Sequence, residues 1–177
     1  MKKNKLYIFF NCMFFIMTIS CSAPQKKQEN INKNTDIDWL IGKSINNMDS
    51  ILDIKKEGNF FVYIFNYHDC GSCINAGFHI SKKIDALYGQ QIVYPISSMI
   101  NTPSEYQRAN GYYKYIYIDD KDLIRRELKY APTPMLLFMS DNNVILNVFF
   151  PIDTIAEHYN NFVKSCLENY NRTLLTD

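Results

Sequence analysis

Two cysteines three residues apart form the strongest candidate for a chemical site in this sequence. Cys70 and Cys73 enclose Gly71 and Ser72 and follow a run of aromatic and β-branched residues. Thiols at this spacing on the first turn of a helix can form a disulfide with little backbone movement, and the helix N-terminus favours a thiolate on the first of them. We therefore predict that Cys70 attacks a partner's disulfide and that Cys73 resolves the mixed disulfide.

Two other interpretations of this pair stay open at the level of sequence, namely a static disulfide and a metal site. Zinc requires four ligands, whereas Cys166 is the only further cysteine outside the N-terminal segment. We predict no metal and no organic cofactor, because a dithiol itself carries the two electrons. His68 and Asp69 are candidate modulators: the Asp69 charge opposes thiolate formation at Cys70, and a protonated His68 offsets it.

The elements that position the cysteines alternate between strand and helix patterns. A buried strand over residues 59–67 precedes a helix whose apolar stripe runs from Cys73 to Leu87 and ends at Gly89. Further along the chain we predict a strand at 91–99, a helix at 103–110 capped by Thr102, a strand at 113–118, a helix at 121–129 capped by Asp120, a hairpin at 135–139 and 144–150, and a last helix opened by Thr154 and Glu157. This order predicts an α/β fold with a mixed sheet flanked by helices on both faces.

The N-terminal segment has the pattern of an export signal. Three lysines precede an uncharged apolar run over residues 6–19, which is shorter than the roughly 20 residues that span a bilayer. Ser20 before Cys21 resembles a bacterial lipoprotein processing site, so we predict a signal peptide at 1–20 and a lipid on Cys21. The alternative is an uncleaved N-terminal anchor or a signal without a lipid. Residues 21–36 are polar and predict a flexible tether, which leaves 37–177 as the folded domain.

Composition excludes two broad classes of protein. The chain of 177 residues is 47% hydrophobic and 15% aromatic, which is too apolar for a disordered protein. Its 19 Lys and Arg residues balance 18 Asp and Glu residues, so we expect no nucleic-acid partner. We predict a monomer in the cell envelope, held by its lipid to a membrane that faces the periplasm or the exterior.

The order strand, CxxC and helix, followed by Thr133 and Pro134 ahead of the strand at Met135, resembles the thioredoxin-like superfamily. The additional helix and strand between residues 102 and 118 make it similar to the TlpA/ResA-like thiol-disulfide oxidoreductases, a branch that includes the peroxiredoxins. The resemblance covers residues 40–170. It implies that Cys70 and Cys73 exchange disulfides with envelope proteins and that Pro134 is a cis-proline. It also implies that Thr133 contacts an extended substrate segment.

The sequence departs from this family at several positions. Asp69 replaces the tryptophan that commonly precedes the first cysteine. Ile64 and Ala76 stand where many relatives carry acids, so the proton for the leaving thiol must come from elsewhere. The chain lacks the T-x-x-C pattern of a peroxiredoxin nucleophile. The alternative function is a thioredoxin-like binding module in which the disulfide only stabilises the turn.

Overall fold

The computed structural model describes residues 39–54, 56–88, 91–99, 103–151 and 156–174, with the side chains at 156–157 and 169–174 left out. Five strands are present in these ranges: β1 (Phe60–Asn66), β2 (Val93–Ser98), β3 (Tyr117–Asp119), β4 (Met135–Met139) and β5 (Ile145–Phe149). Five helices accompany them: α1 (Met48–Leu52), α2 (Gly71–Tyr88), α3 (Pro103–Asn110), α4 (Leu123–Glu127) and α5 (Ala156–Leu174). The predicted signal peptide, Cys21 and tether lie outside the described residues, as do Gly89, Thr102 and Thr154.

The strands form one mixed sheet in the order β3-β2-β1-β4-β5. Helix α2 connects β1 to its parallel neighbour β2, and α3 leads to β3, which is parallel to β2. Strand β4 is antiparallel to β1 and continues through a tight turn into β5. The mixed sheet, the terminal hairpin and the helix–strand pair α3–β3 agree with the fold class that the sequence predicts.

Strand β1 is buried on both faces because it lies at the centre of this sheet. Phe60, Val62 and Ile64 face a core that also contains side chains from α1 and α4. The alternate residues Phe61, Tyr63 and Phe65 face a second core, which is closed by α2 and α5. Since successive side chains of a strand point to opposite faces, a nearly continuous apolar run is what a strand covered on both sides requires.

The predicted strand at 113–118 is wrong in its bounds, since β3 contains only Tyr117–Asp119. The position of Pro95 in β2 explains where β3 begins to pair with β2. Phe61 N–H donates to the Ile92 carbonyl, so every second residue of β2 bonds to β1 and Pro95 faces the β3 side. Proline has no N–H to donate there, and the ladder with β3 starts only after it, at Ile96 opposite Tyr117.

The predicted cap of the fourth helix, Asp120, is also wrong. The Asp119 carboxylate accepts hydrogen bonds from the N–H groups of Leu123 (2.8 Å) and Ile124 (2.9 Å), whereas Asp120 is exposed. Helix α4 is correspondingly shorter than the predicted 121–129. Asp119 ends β3 and is buried, so its side chain already points towards the first turn of α4.

Helix α1 and the residues before it add an element that the sequence analysis did not predict. Ile45, Met48 and Leu52 are buried in the core on the α4 side of the sheet. Glu127 of α4 accepts hydrogen bonds from the backbone N–H groups of Asn46 (2.7 Å) and Asn47 (2.9 Å). These contacts fix the start of α1 against α4, so residues 40–52 belong to the folded domain.

Candidate active site

The CxxC turn begins where β1 ends, in a loop closed by asparagine and aspartate side chains. Asn66 Oδ1 accepts a hydrogen bond from His68 N–H (3.0 Å), and Asp69 Oδ2 accepts one from Asn66 N–H (2.7 Å). Asp69 N–H in turn donates to the Asn66 carbonyl (3.1 Å). Asn and Asp favour such turns because their side chains satisfy nearby backbone groups. The chain thereby reverses from β1 into α2 with Cys70 at the start of the helix.

The two cysteines occupy different environments at the start of α2, where Cys70 directly precedes the helix and Cys73 lies in its first turn. Cys70 is exposed, and its carbonyl accepts the hydrogen bond from Ile74 N–H (2.9 Å). Cys73 is buried, with 9% of its surface exposed. Both thiols are free, and Cys70 Sγ lies 2.9 Å from Ser72 Oγ. The exposed first thiol is accessible to a partner, and the second lies one turn further into the protein.

Local hydrogen bonding separates the acidities of the two thiols. The neighbouring Cys73 thiol, then the Ser72 hydroxyl and the backbone N–H of Cys73, lower the pKa of Cys70 to about 7. The pKa of Cys73 is raised, first because its thiol is held by Cys70 and then because it is buried. A thiolate at Cys70 with a protonated thiol at Cys73 is the arrangement that nucleophilic attack by Cys70 needs.

The loop before β4 faces this turn. The Thr133–Pro134 peptide bond is cis, Pro134 is buried and Thr133 is half-buried. Thr133 Oγ1 donates a hydrogen bond of 2.8 Å to Asp69 Oδ1, which brings together residues 64 positions apart in the sequence. Met135 pairs with Ile64 of β1, so the loop lies at the same end of the sheet as the CxxC turn.

Asp69 therefore has different contacts from those that the sequence suggested. Its two carboxylate oxygens accept hydrogen bonds from Asn66 and Thr133, and the groups that lower the pKa of Cys70 are Cys73, Ser72 and nearby backbone amides. His68 is exposed, and its ring packs edge-on against Tyr67 at 5.5 Å. Asp69 and Thr133 each gave a signal in the sequence, but nothing there indicated that the two side chains bind each other.

The sequence analysis also missed Tyr63, a residue of β1 that contacts the first part of α2. Its hydroxyl is buried and donates a hydrogen bond of 3.0 Å to the Ile74 carbonyl, one residue after Cys73. Burial, together with the charges of Asp69 and Cys73, raises the pKa of Tyr63 well above its usual value, so the hydroxyl stays a donor. An apolar strand with one tyrosine gave no signal for this contact.

The third cysteine and the two other histidines take no part in the contacts described above. Cys166 is fully buried on α5, where burial raises the pKa of its thiol to about 12. His79 and His158 are exposed on their helices. Within the described ranges, no group of three or more His, Cys, Asp or Glu side chains could hold a metal ion. No helix in the same ranges is long and apolar enough to cross a bilayer.

The order of elements, the CxxC at the start of α2 and the facing cis-proline define a thioredoxin-like fold. No family model and no curated protein matches the sequence. A solved structure from Chlorobium tepidum, described as a DsbE thiol:disulfide interchange protein, is 13% identical with a TM-score of 0.51, over 66% of this chain and 84% of that one.

Two further solved structures are similar at lower scores. A thioredoxin domain of a thiol-disulfide oxidoreductase from Bacteroides vulgatus is 13% identical, with a TM-score of 0.48 over 65% of this chain and 83% of that one. A secreted disulfide oxidoreductase from Mycobacterium tuberculosis is 11% identical, with a TM-score of 0.47 over 63% and 81%. The similarity to the Chlorobium tepidum structure, at 13% identity, concerns the fold, and it confirms the predicted thioredoxin-like fold.

Proposed function

We propose that this protein is a cell-envelope thiol-disulfide oxidoreductase that exchanges disulfides with other proteins through Cys70 and Cys73. The observation that carries the proposal is the exposed Cys70 thiol, whose pKa is lowered to about 7. It stands at the start of α2 with Cys73 three residues away. A thiolate that is populated near neutral pH and open to solvent is the nucleophile that disulfide exchange requires.

The exchange proceeds in two substitutions at sulfur. The Cys70 thiolate attacks one sulfur of a substrate disulfide, the substrate S–S bond breaks, and its other sulfur leaves as a thiolate that takes a proton from water. Cys73 then loses its proton and attacks Cys70 Sγ, which releases the second substrate thiol. The substrate gains two electrons and two protons, and the protein ends with a Cys70–Cys73 disulfide. The reverse sequence oxidises a substrate dithiol.

The loop at Thr133 and Pro134 supports a polypeptide substrate. Its neighbour Pro132 is exposed and Thr133 is half-buried, so this loop is partly accessible next to the turn that contains Asp69 and Cys70. In this proposal an extended segment of the substrate pairs with the Thr133 backbone while its disulfide meets Cys70. No organic cofactor takes part, because the dithiol carries the electrons.

The proposed location rests on the N-terminal sequence. Cleavage before Cys21 and acylation of that cysteine would anchor the domain through the polar residues 22–36. In this proposal the protein acts as a monomer. Expression in a bacterial host with a labelled fatty acid tests the anchor: the wild-type chain should carry the label, and Cys21→Ser should not. Label retained in Cys21→Ser, or absent from both, would reject lipidation at this cysteine.

Trapping of mixed disulfides tests the activity. In Cys73→Ser the resolving thiol is missing, so envelope proteins should accumulate on Cys70 as adducts that dithiothreitol releases. The double variant Cys70→Ser/Cys73→Ser is the matched control, because it retains Cys166 and should form none. Equal adducts in both variants would place the reactive sulfur elsewhere, and no adducts under oxidising growth would contradict disulfide exchange.

A redox titration separates the enzyme from a binding module with a structural disulfide. A reversible couple above about −300 mV supports exchange. A disulfide that stays oxidised below about −300 mV indicates a structural bond instead.

A further inference from the structure

The Asp69 carboxylate links two segments that lie far apart in the sequence. One oxygen accepts the Asn66 N–H (2.7 Å) at the end of β1, and the other accepts the Thr133 hydroxyl (2.8 Å) before the cis-proline. Asp69 is half-buried and directly precedes Cys70. The same side chain therefore closes the turn that presents the thiol and holds the loop that faces it.

We infer that Asp69 is a positioning residue, which fixes the Thr133 backbone relative to Cys70 and so selects extended polypeptide disulfides over small ones. The inference rests on the proposed function and deepens it. A polypeptide substrate must contact the loop and the thiol at once, so its binding depends on the distance between them. A small disulfide needs only the thiol and is insensitive to the position of the loop.

A carboxylate suits this role because the Asn66 N–H and the Thr133 hydroxyl both donate to it. A carboxylate offers two acceptor oxygens, whereas an asparagine side chain in the same place offers one oxygen and an N–H₂ donor. Thr133 in turn supplies its hydroxyl hydrogen to Asp69, so its side chain is directed towards the turn rather than into solvent. Valine has the shape of threonine without the hydroxyl, and serine keeps the hydroxyl.

Further contacts of Asn66 fix the turn that contains Asp69 to the sheet. Asn66 pairs with Ser98 in the parallel ladder, and its carbonyl accepts Asp69 N–H (3.1 Å). Asp69 is therefore anchored to the central strand by its backbone and its side chain. The loop is then held to the sheet from two sides, by Asp69 through Thr133 and by the pairing of Met135 with Ile64.

The experiment compares a disulfide-bonded peptide with a small aromatic disulfide as substrates of the full-length reduced protein. Thr133→Val should raise KM for the peptide about tenfold, the effect of one lost hydrogen bond, and lower the peptide-to-small-disulfide ratio of kcat/KM by a similar factor. Thr133→Ser should restore the ratio. Asp69→Asn retains a neutral contact, because its amide N–H donates to Thr133 Oγ1, so it should lower the ratio less than Thr133→Val does. Asp69→Asn/Thr133→Val should lower it no further than Thr133→Val alone, since only one contact is at stake.

Other outcomes overturn the inference in distinguishable ways. An unchanged ratio in Thr133→Val, with only a lower melting temperature, assigns the contact a purely structural role. A shift in the pH at which Cys70 is half-alkylated in Asp69→Asn assigns the carboxylate to the thiol instead of the loop. Asp120→Asn, an exposed aspartate on another loop, is the charge control and should leave the ratio unchanged. If the wild-type protein exchanges with neither substrate, the proposed function itself fails and the inference falls with it.

Discussion

Gly77 of α2 lies directly against the ring of Tyr63 of β1. A Cβ atom at Gly77 would meet Tyr63 Cζ at 2.2 Å and its hydroxyl oxygen at 2.3 Å, far inside contact distance. The missing side chain lets α2 approach the sheet closely, and the Tyr63 hydroxyl then reaches the Ile74 carbonyl. The contacts of Tyr63 with Gly77 and Ile74 therefore hold the start of α2, next to both cysteines, against the central strand.

Replacement of Gly77 by alanine should destabilise the protein in spite of the better helix propensity of alanine. The added methyl group must displace a fully buried ring, and overpacking of this kind costs about 1–3 kcal/mol. Urea unfolding followed by circular dichroism measures the change. Gly71→Ala on the same helix is the matched control, because no atom lies within 4 Å of its added Cβ. A neutral Gly77→Ala would contradict the close approach of α2 to Tyr63.

Alkylation of the reduced protein by iodoacetamide should follow the thiolate at Cys70. Because the pKa of Cys70 is lowered to about 7, its rate should rise with pH through neutrality and level off above it. Cys73, whose pKa is raised, should react only at higher pH and more slowly because it is buried. Mass spectrometry of the peptides distinguishes the two sites. A midpoint for Cys70 near that of an ordinary thiol, about 8.5, would be inconsistent with the hydrogen bonds described.

Ser72 and Cys73 should contribute unequally to this acidity. The Cys73 thiol is the largest influence on the pKa of Cys70 and the Ser72 hydroxyl is the next. Ser72→Ala should therefore move the alkylation midpoint of Cys70 to higher pH, and Cys73→Ala should move it further. Asn75→Ala, an exposed change on the same helix turn, should leave the midpoint in place. The reverse order for Ser72→Ala and Cys73→Ala would assign the main role to the serine.

The sequence predicts best those elements that depend on local patterns. The run before Cys70 is aliphatic or aromatic at every position from Phe60 to Phe65, which is typical of a strand buried on both faces, and β1 confirms it. The apolar stripe of α2 and the turn before β5 are similarly local. The length of β3 was not predictable, because it depends on which edge of β2 Pro95 faces.

Contacts between side chains that lie far apart in the sequence were not predictable either. Asp69 and Thr133 were each singled out for their neighbours, Cys70 and Pro134, yet the contact between them needs the sheet to bring two loops together. Tyr63 looked like any other core aromatic residue. The candidate nucleophile could thus be chosen from its motif, whereas the groups that hold its surroundings in place required coordinates.

Helix α4 allows a last test, because three aspartates at its start compete as caps. Asp119, Asp120 and Asp122 all have short acceptor side chains, so composition cannot rank them. In the structure Asp119 ends β3, is only 2% exposed and accepts the N–H groups of both Leu123 and Ile124. Asp119→Ala should therefore cost about 1–3 kcal/mol of unfolding free energy, since it leaves two N–H groups without their acceptor.

Asp120→Ala is the matched control, since this neighbouring aspartate is exposed and its replacement should change the free energy of unfolding by less than about 0.5 kcal/mol. Asp119→Asn retains one acceptor oxygen and should fall between the two. Urea denaturation measures all three variants under the same conditions. Equal losses in Asp119→Ala and Asp120→Ala would mean that the cap is shared. A larger loss in Asp120→Ala would restore the cap expected from the sequence and contradict the burial of Asp119 at the end of β3.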